Sequence, residues 1–241
     1  MADHCELDTR FDFRTDTPRG KDPDAHSPTL RRFHQLLWSK PLPNGDRFDL
    51  VATTPKIYLH HKSHLGEFWL ASDAVVPSFT RAYKLREIVA QVPQKELEAF
   101  NAIGYTMGGM MLWPGHRVGR KMTINGARGF HPRIKDRFDL TVECISRYYV
   151  GAPSPLSQTL ERYGEFFDLF GDFRGFVEFF LLHDIVNSGF TAVHFFTPFD
   201  DFQSSPLPQS IEEYVSYKVK AIAFVEARNR RMAAYWAAHG S

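Results

Sequence analysis

Cysteine is scarce in this chain of 241 residues, which contains only Cys5 and Cys144. We expect Cys5 in a loose tail and Cys144 on a helix, so the sequence predicts no disulfide framework and no Cys-x-x-Cys zinc site. No apolar run reaches the roughly 18 residues that span a bilayer, and the acidic start has no apolar signal-peptide region. These absences predict a cytoplasmic protein with no membrane partner.

Signatures of catalysis are missing as well. Gly20-Lys21 is not a P-loop, because no Gly-x-x-x-x-Gly precedes it, and the chain contains no Gly-x-Ser-x-Gly. Cys144 lies on the inward stripe of its helix and is predicted to be an inert core thiol. His183-Asp184 resembles a metal-dependent phosphohydrolase pair, but no histidine lies between 150 and 182 to complete it. The sequence therefore names no catalytic residue and no cofactor.

Positive charge, by contrast, is concentrated in one stretch. Gly115–Arg137, the basic segment, carries seven Lys/Arg and one Asp, whereas the whole chain has a net charge of +1. Such a local field attracts a phosphate, a nucleotide or a nucleic-acid backbone. Gly, Asn-Gly and Pro punctuation predicts that the segment is largely loop. The alternative is a solvated loop whose cations pair with acids elsewhere.

Within the basic segment, arginine is suited to bidentate phosphate contacts and lysine to a point-charge contact. Aromatic side chains nearby are candidates to stack on a base, namely Trp113 and Phe130. The predicted ligand-binding residues of this segment are Lys121, Arg128, His131, Arg133 and Arg137.

A second candidate is the N-terminal loop 12–24, which alternates acids and bases and lacks clear apolar anchors. We predict ligand contacts from Arg14, Asp16 and Lys21 there. Asp16, Asp22 and Asp24 also suggest a divalent cation, but their spacing matches no EF-hand. The favoured alternative is a salt-bridged tail that caps the domain, so no metal site is predicted.

The histidines His60, His61 and His64 are a weaker metal candidate. Adjacent residues of a strand point to opposite faces, so only one of the first two can face His64. Because a metal site needs convergent ligands, an ordinary turn beside the surface is favoured here too.

The order of elements predicts an α+β fold, with a small, mostly antiparallel sheet and a mainly helical C-terminal half. Residues 1–26 are predicted as an irregular N-terminal segment and 27–241 as a single α+β domain. The sheet is predicted from 47–73, 109–113 and 191–196. Predicted helices cover 28–38, 78–92, 93–107, 134–150, 154–171, 172–189 and 210–239.

The helix predicted over 172–189 is apolar on almost every side, which marks a central buried element. Val177, Phe180, Leu181 and Ile185 are expected to form the core.

Three stretches of the chain resemble a family of bacterial proteins of similar length whose activity is not characterised. They are FDFRTDTPRGKDPDAHSPTLRRFHQLLWSKPLP, ARGFHPRIKDRFDLTVECI and SPLSQTLERYGEFFDLFGDFRGFVEFFLLHDIV. They cover more than a third of the sequence. The resemblance implies membership of an uncharacterised family and carries no activity, fold or site residue.

Two functions from different classes follow. One is a protein that binds a phosphate-bearing ligand, either a nucleotide or a nucleic acid. As an enzyme, such a protein would process that nucleotide or nucleic acid. The other is a non-catalytic module that binds nucleic acid or an acidic protein. An enzyme should join the basic segment to the N-terminal loop in a pocket with perturbed titratable groups, whereas a binder should present an open basic surface.

Overall fold

The computed structural model describes residues 7–52 and 59–240. Cys5 and residues 53–58 of the stretch predicted as sheet, 47–73, lie outside these ranges. The strands are β1 Lys40–Pro41, β2 Arg47–Phe48, β3 Val51–Ala52, β4 Leu59–Ser63, β5 Gly66–Ala74 and β6 Met110–Pro114. The helices are α1 Pro23–His26, α2 Pro28–Trp38, α3 Arg86–Val89, α4 Gln94–Gly104, α5 Ile124–Phe130, α6 Phe138–Tyr149, α7 Ser157–Glu161, α8 Gly164–Asp168, α9 Phe173–Phe179 and α10 Ile211–His239.

The main sheet has four antiparallel strands in the order β3-β4-β5-β6. Gly66 lies at the tight turn between β4 and β5 and has a φ of 135°. Residues other than glycine rarely adopt this backbone conformation. Leu59, Phe68 and Leu70 turn into the core from these two strands. The predicted α+β class with a small antiparallel sheet is confirmed.

One predicted strand is wrong, because residues 191–196 do not join the sheet. Val193 forms only an isolated bridge with Val186. The neighbouring amides are satisfied elsewhere, since His194 N–H donates to the Ile185 carbonyl and Phe196 N–H donates to Asp139 Oδ2. A side chain and a loop therefore provide the partners that a sheet would have supplied.

Capping serines mark the starts of two predicted helices, whereas the helix predicted from residue 154 begins only at Ser157 and has no side-chain cap. Ser27 Oγ accepts from the Leu30 amide at the start of α2, and Ser210 Oγ accepts from the Glu213 amide at the start of α10. Both starts match the sequence prediction, because these hydroxyls satisfy amides that have no partner inside the helix.

Other predicted helix boundaries were wrong. The stretch 78–92 contains only a 3₁₀ turn at Tyr83–Leu85 and the short α3. The helix predicted over 172–189 ends at Phe179, because Leu181 has a φ of 53° and leaves the right-handed helical region. The basic segment is largely loop, as predicted, although the short helix α5 occupies its centre.

The predicted central core is confirmed. Val177, Phe180, Leu181 and Ile185 are all buried. Phe180 packs against a dense aromatic cluster, with ring centroids 4.9–5.4 Å from those of Trp38, Phe170, Phe176 and Phe179. Offset and edge-on ring contacts of this kind add to the stability that burial provides.

The N-terminal segment is held against the rest of the molecule, and it does have apolar anchors. Phe13 is completely buried, and its amide donates to the Tyr105 carbonyl. The Thr9 carbonyl accepts from the Met107 amide. The short helix α1 then packs on β5, which brings the N-terminal loop next to the basic segment.

Candidate functional site

Arg128, from the middle of the basic segment, is fully buried rather than exposed. Its Nη1 lies 2.5 Å from Asp73 Oδ2 and 2.7 Å from Asp136 Oδ1. Its Nη2 donates to the backbone carbonyls of Val75 and Asp136, and its Nε donates to Thr141 Oγ1. Every nitrogen of this guanidinium is engaged within the protein, which leaves no donor for a phosphate.

Arg137 is buried in the same way. Its Nε donates to Asp139 Oδ1 over 2.8 Å, and its Nη2 also bonds that carboxylate. Its Nη1 donates to Thr197 Oγ1 and to the Pro206 carbonyl, over 2.6 and 2.7 Å. This arginine ties α6 to the loop that follows residue 195.

These positions correct the expectation that Arg128 and Arg137 would face a ligand. Charged groups are stable inside a protein when they are paired and hydrogen-bonded, and both guanidiniums meet that condition. Their role in the fold is to fix the two ends of the turn between α5 and α6.

Three carboxylates gather at the point where the N-terminal loop meets the basic segment. Asp73 and Asp136 bind Arg128, and Asp24 lies beside them. Asp24 Oδ2 accepts from the Ala74 amide over 3.0 Å, whereas Oδ1 is sealed from solvent and has no hydrogen-bond partner in the described part of the chain. Burial, and then the nearby Asp22, raise the pKa of Asp24 to about 7. Burial also raises the pKa of Asp73.

A cavity of about 10 Å³ lies beside Asp24 and is lined in part by Ser72 and His34. Trp38 Nε1–H donates to His34 Nδ1, so His34 Nε2 carries the proton and donates to Ser72 Oγ. Burial lowers the pKa of His34 to about 3, which keeps the ring neutral. In this tautomer His34 cannot take a proton from Ser72, and the cavity has room for little more than one water molecule.

The N-terminal site residues have mostly local roles. Arg14 pairs with Asp12 and lies over the ring of Tyr105. Asp16 accepts from Ser27 Oγ and from the Thr29 amide, at 2.6 and 3.0 Å, and so supports the start of α2. Lys21 is exposed. Among the residues that the structure describes, no group of three or more His, Cys, Asp or Glu is placed to hold a metal ion.

Cations flank α5 on both sides. The exposed Arg117, Arg120 and Lys121 precede the helix, and the exposed Arg133 and the half-buried Lys135 follow it. We call these five residues the α5 basic surface. Arg133 donates to the backbone carbonyls of Gln203 and Ser204. In the described ranges, none of the five forms an ion pair with a carboxylate, so their positive charges are not neutralised within the fold.

His131 lies at the end of α5 and is half-buried. Its Nδ1 accepts from the Arg133 amide over 3.2 Å. Burial, and then the charges of Arg133 and Lys135, lower its pKa, so the ring is neutral at pH 7. His131 can offer a hydrogen bond to a ligand but adds no positive charge.

The two residues predicted to stack on a base differ in their exposure to solvent. Trp113 lies in β6 and is only 1% exposed, so it cannot stack on a ligand. Phe130, at the last position of α5, is 74% exposed and lies next to the cations that follow the helix.

Family comparison accounts for nearly the whole chain. The model of a family of unknown function, DUF6994, matches residues 7–232. The chain belongs to this family. The match confirms the expected membership of an uncharacterised family and brings no activity with it. No curated protein and no solved structure gave a significant match. In the described part of this DUF6994 chain, no helix has the length and apolarity to cross a membrane.

Sequence reasoning missed one group of exposed residues in this DUF6994 chain. Tyr83 is 86% exposed, and Arg81, Lys84 and Arg86 around it are exposed as well. In the described ranges these three cations form no ion pair with a carboxylate. The signal for this group is the string RAYKLR, which lies within the helix predicted over 78–92.

Proposed function

We propose that this protein binds a phosphate-bearing ligand, a nucleotide or a nucleic acid, on the α5 basic surface. One observation carries the proposal. Five cationic side chains on this surface have no carboxylate partner among the described residues, in a protein whose net charge is only +1. The two buried arginines of the same segment, Arg128 and Arg137, each pair with an acid instead.

The buried arginines support this role indirectly. Arg128 anchors α5 to β5 through Asp73, and Arg137 anchors the start of α6 through Asp139. The exposed cations therefore project from backbone that is fixed on both sides, which reduces the ordering cost of binding. His131 and Lys21 remain candidates for further ligand contacts.

The proposal is binding rather than a reaction. The carboxylates with raised pKa meet the basic segment, as expected for an enzyme, but Asp24 Oδ1 is sealed and the adjacent cavity has the size of a water molecule. The exposed cations lie on open surface, which favours a binding module. Bacterial origin and a cytoplasmic location also stay proposals that rest on the sequence.

The test is a titration of ATP, NAD and short DNA and RNA strands against the parent and an Arg120→Ala/Lys121→Ala variant. We expect at least one ligand to bind the parent, and the variant to bind it about tenfold more weakly, because two charge contacts are lost. Arg230→Ala is the matched control, since Arg230 is exposed on α10 and also unpaired in the described ranges. A parent that binds none of these ligands, or a variant that binds unchanged, would contradict the proposal.

A further inference from the structure

Among the residues that the structure describes, exposed aromatic rings are rare, and each one lies near cations that form no ion pair. The described part of the chain has two exposed aromatic side chains, Tyr83 and Phe130. Nearly all the other described rings pack into the core or against it. An exposed ring next to several unpaired positive charges has no evident role in stability, and it occurs here twice.

We infer that the ligand is a single-stranded nucleic acid, whose bases stack on Phe130 and Tyr83 while its phosphates bind the adjacent cations. The inference rests on the proposed function and names its ligand class. Every base presents a flat face to an aromatic ring, so such stacking tolerates many sequences.

The geometry favours a strand over a mononucleotide. Sites for small ligands enclose most of the molecule, whereas Phe130 is 74% exposed on an open surface. The cations of the α5 basic surface lie at both ends of a seven-residue helix, which is about 10 Å long. Charges spaced in this way suit successive phosphates of a chain better than a single phosphate group.

The same rings argue against a duplex. In a double helix the base faces are stacked on each other, and only base edges and phosphates are available to a protein. An exposed phenylalanine gains contact only with a base that is already unstacked. The cations alone would serve for a duplex, so the rings are the distinguishing feature.

The test measures fluorescence anisotropy of labelled 12-nucleotide RNA and DNA strands, with the matching duplexes, ATP and inorganic polyphosphate as comparisons. The variants are Phe130→Ala and Tyr83→Ala, with Phe130→Tyr as a conservative variant that keeps the ring. Val150→Ala is the matched control, because Val150 is an exposed apolar side chain and the nearest arginine in the sequence, Arg147, is paired with Glu143 and Asp201. Circular dichroism checks that each variant is folded.

We expect single strands to bind more tightly than duplexes. Phe130→Ala should weaken single-strand binding about tenfold, and Tyr83→Ala should weaken it severalfold, from the usual contribution of one stacked base. Phe130→Tyr should bind like the parent. Binding of polyphosphate, which has no bases, should change less than twofold in every ring variant.

Three results would overturn the inference while the proposed function stands. They are tighter binding of duplex than of single strand, binding of ATP without any binding of oligonucleotides, and equal losses for polyphosphate and single strands in Phe130→Ala. If neither oligonucleotides, ATP nor polyphosphate binds the parent protein, both the inference and the proposed function are contradicted.

Discussion

The guanidinium of Arg128 is stable in the interior because carboxylates and carbonyls take up all its nitrogens. Asp73 and Asp136 bind Nη1, while two backbone carbonyls bind Nη2. Removal of the cation would leave Asp73 buried without its partner. The removal of one member of a buried ion pair destabilises a protein much more than the replacement of both members by well-packed hydrophobic residues.

We therefore predict that Arg128→Met lowers the free energy of unfolding by about 3–5 kcal/mol. Chemical denaturation measures the loss. Arg120→Met is the matched control and should change stability by less than about 0.5 kcal/mol, because Arg120 is exposed and unpaired in the described ranges. A loss below about 1 kcal/mol for Arg128→Met would show that the guanidinium is not a structural anchor.

Asp24 makes the stability of the fold depend on pH. Its pKa is about 7 in the folded protein and near 3.8 without the surrounding structure, because burial and then Asp22 disfavour the charged form. The unfolded chain therefore ionises at lower pH than the folded protein. The contribution of Asp24 to the stability of the fold is fully present below about pH 4. It declines as the pH rises towards 7 and stays lower above pH 7.

Asp24→Asn should remove this pH dependence, since the amide cannot ionise and its oxygen can still accept from the Ala74 amide. We predict that the variant is more stable than the parent at pH 8, by roughly 1–4 kcal/mol, and that the difference shrinks towards pH 4. Thermal unfolding of both proteins between pH 4 and pH 8 measures it. A constant difference across this range would rule out Asp24 as the titrating group.

At the scale of elements, α9 is short but central. It has seven residues, five of which are buried, and Phe180 follows directly at its end. Arg228 of α10 donates to the Phe180 carbonyl and to the carbonyls of Gly108 and Met110, so the long C-terminal helix holds this region from the other side. Hydrophobic packing and a buried cation stabilise the same junction.

Phe180→Ala should lower the free energy of unfolding by about 3–5 kcal/mol, because a cavity would open among close-packed rings. Urea denaturation measures this loss. Val150→Ala, at an exposed position, should cost no more than about 0.5 kcal/mol. If the two variants lose similar stability, Phe180 is not part of the central core.

At the scale of the whole molecule, the sequence predicted what local patterns encode. Ser27 and Ser210 marked helix starts, short stretches rich in aromatic and β-branched residues marked β4 and β5, and continuous apolarity marked Phe180 as core. These signals depend on residues close in sequence.

The burial of Arg128 depends on residues that are distant in the sequence. Asp73, its partner, is 55 positions away, and no local pattern joins the two residues. The strand predicted over 191–196 is wrong for a similar reason, because Asp139 accepts the hydrogen bond from the Phe196 amide that a neighbouring strand would have accepted. The concentration of charge in the basic segment is visible in the sequence, whereas the division of its cations between interior and surface required the structure.

The salt dependence of single-strand binding tests the central claim most directly, because each phosphate contact releases counterions. The measurement compares the parent with an Arg117→Ala/Arg120→Ala/Lys121→Ala variant, and with Arg230→Ala as control, for one 12-nucleotide RNA between 50 and 200 mM salt. Each lost contact should reduce the slope of log affinity against log salt by about 0.7, so the triple variant should show a slope shallower by about 2. The control should match the parent. Equal slopes for the parent and the triple variant, or no binding by the parent, would contradict the assignment of the α5 basic surface as the phosphate-binding site.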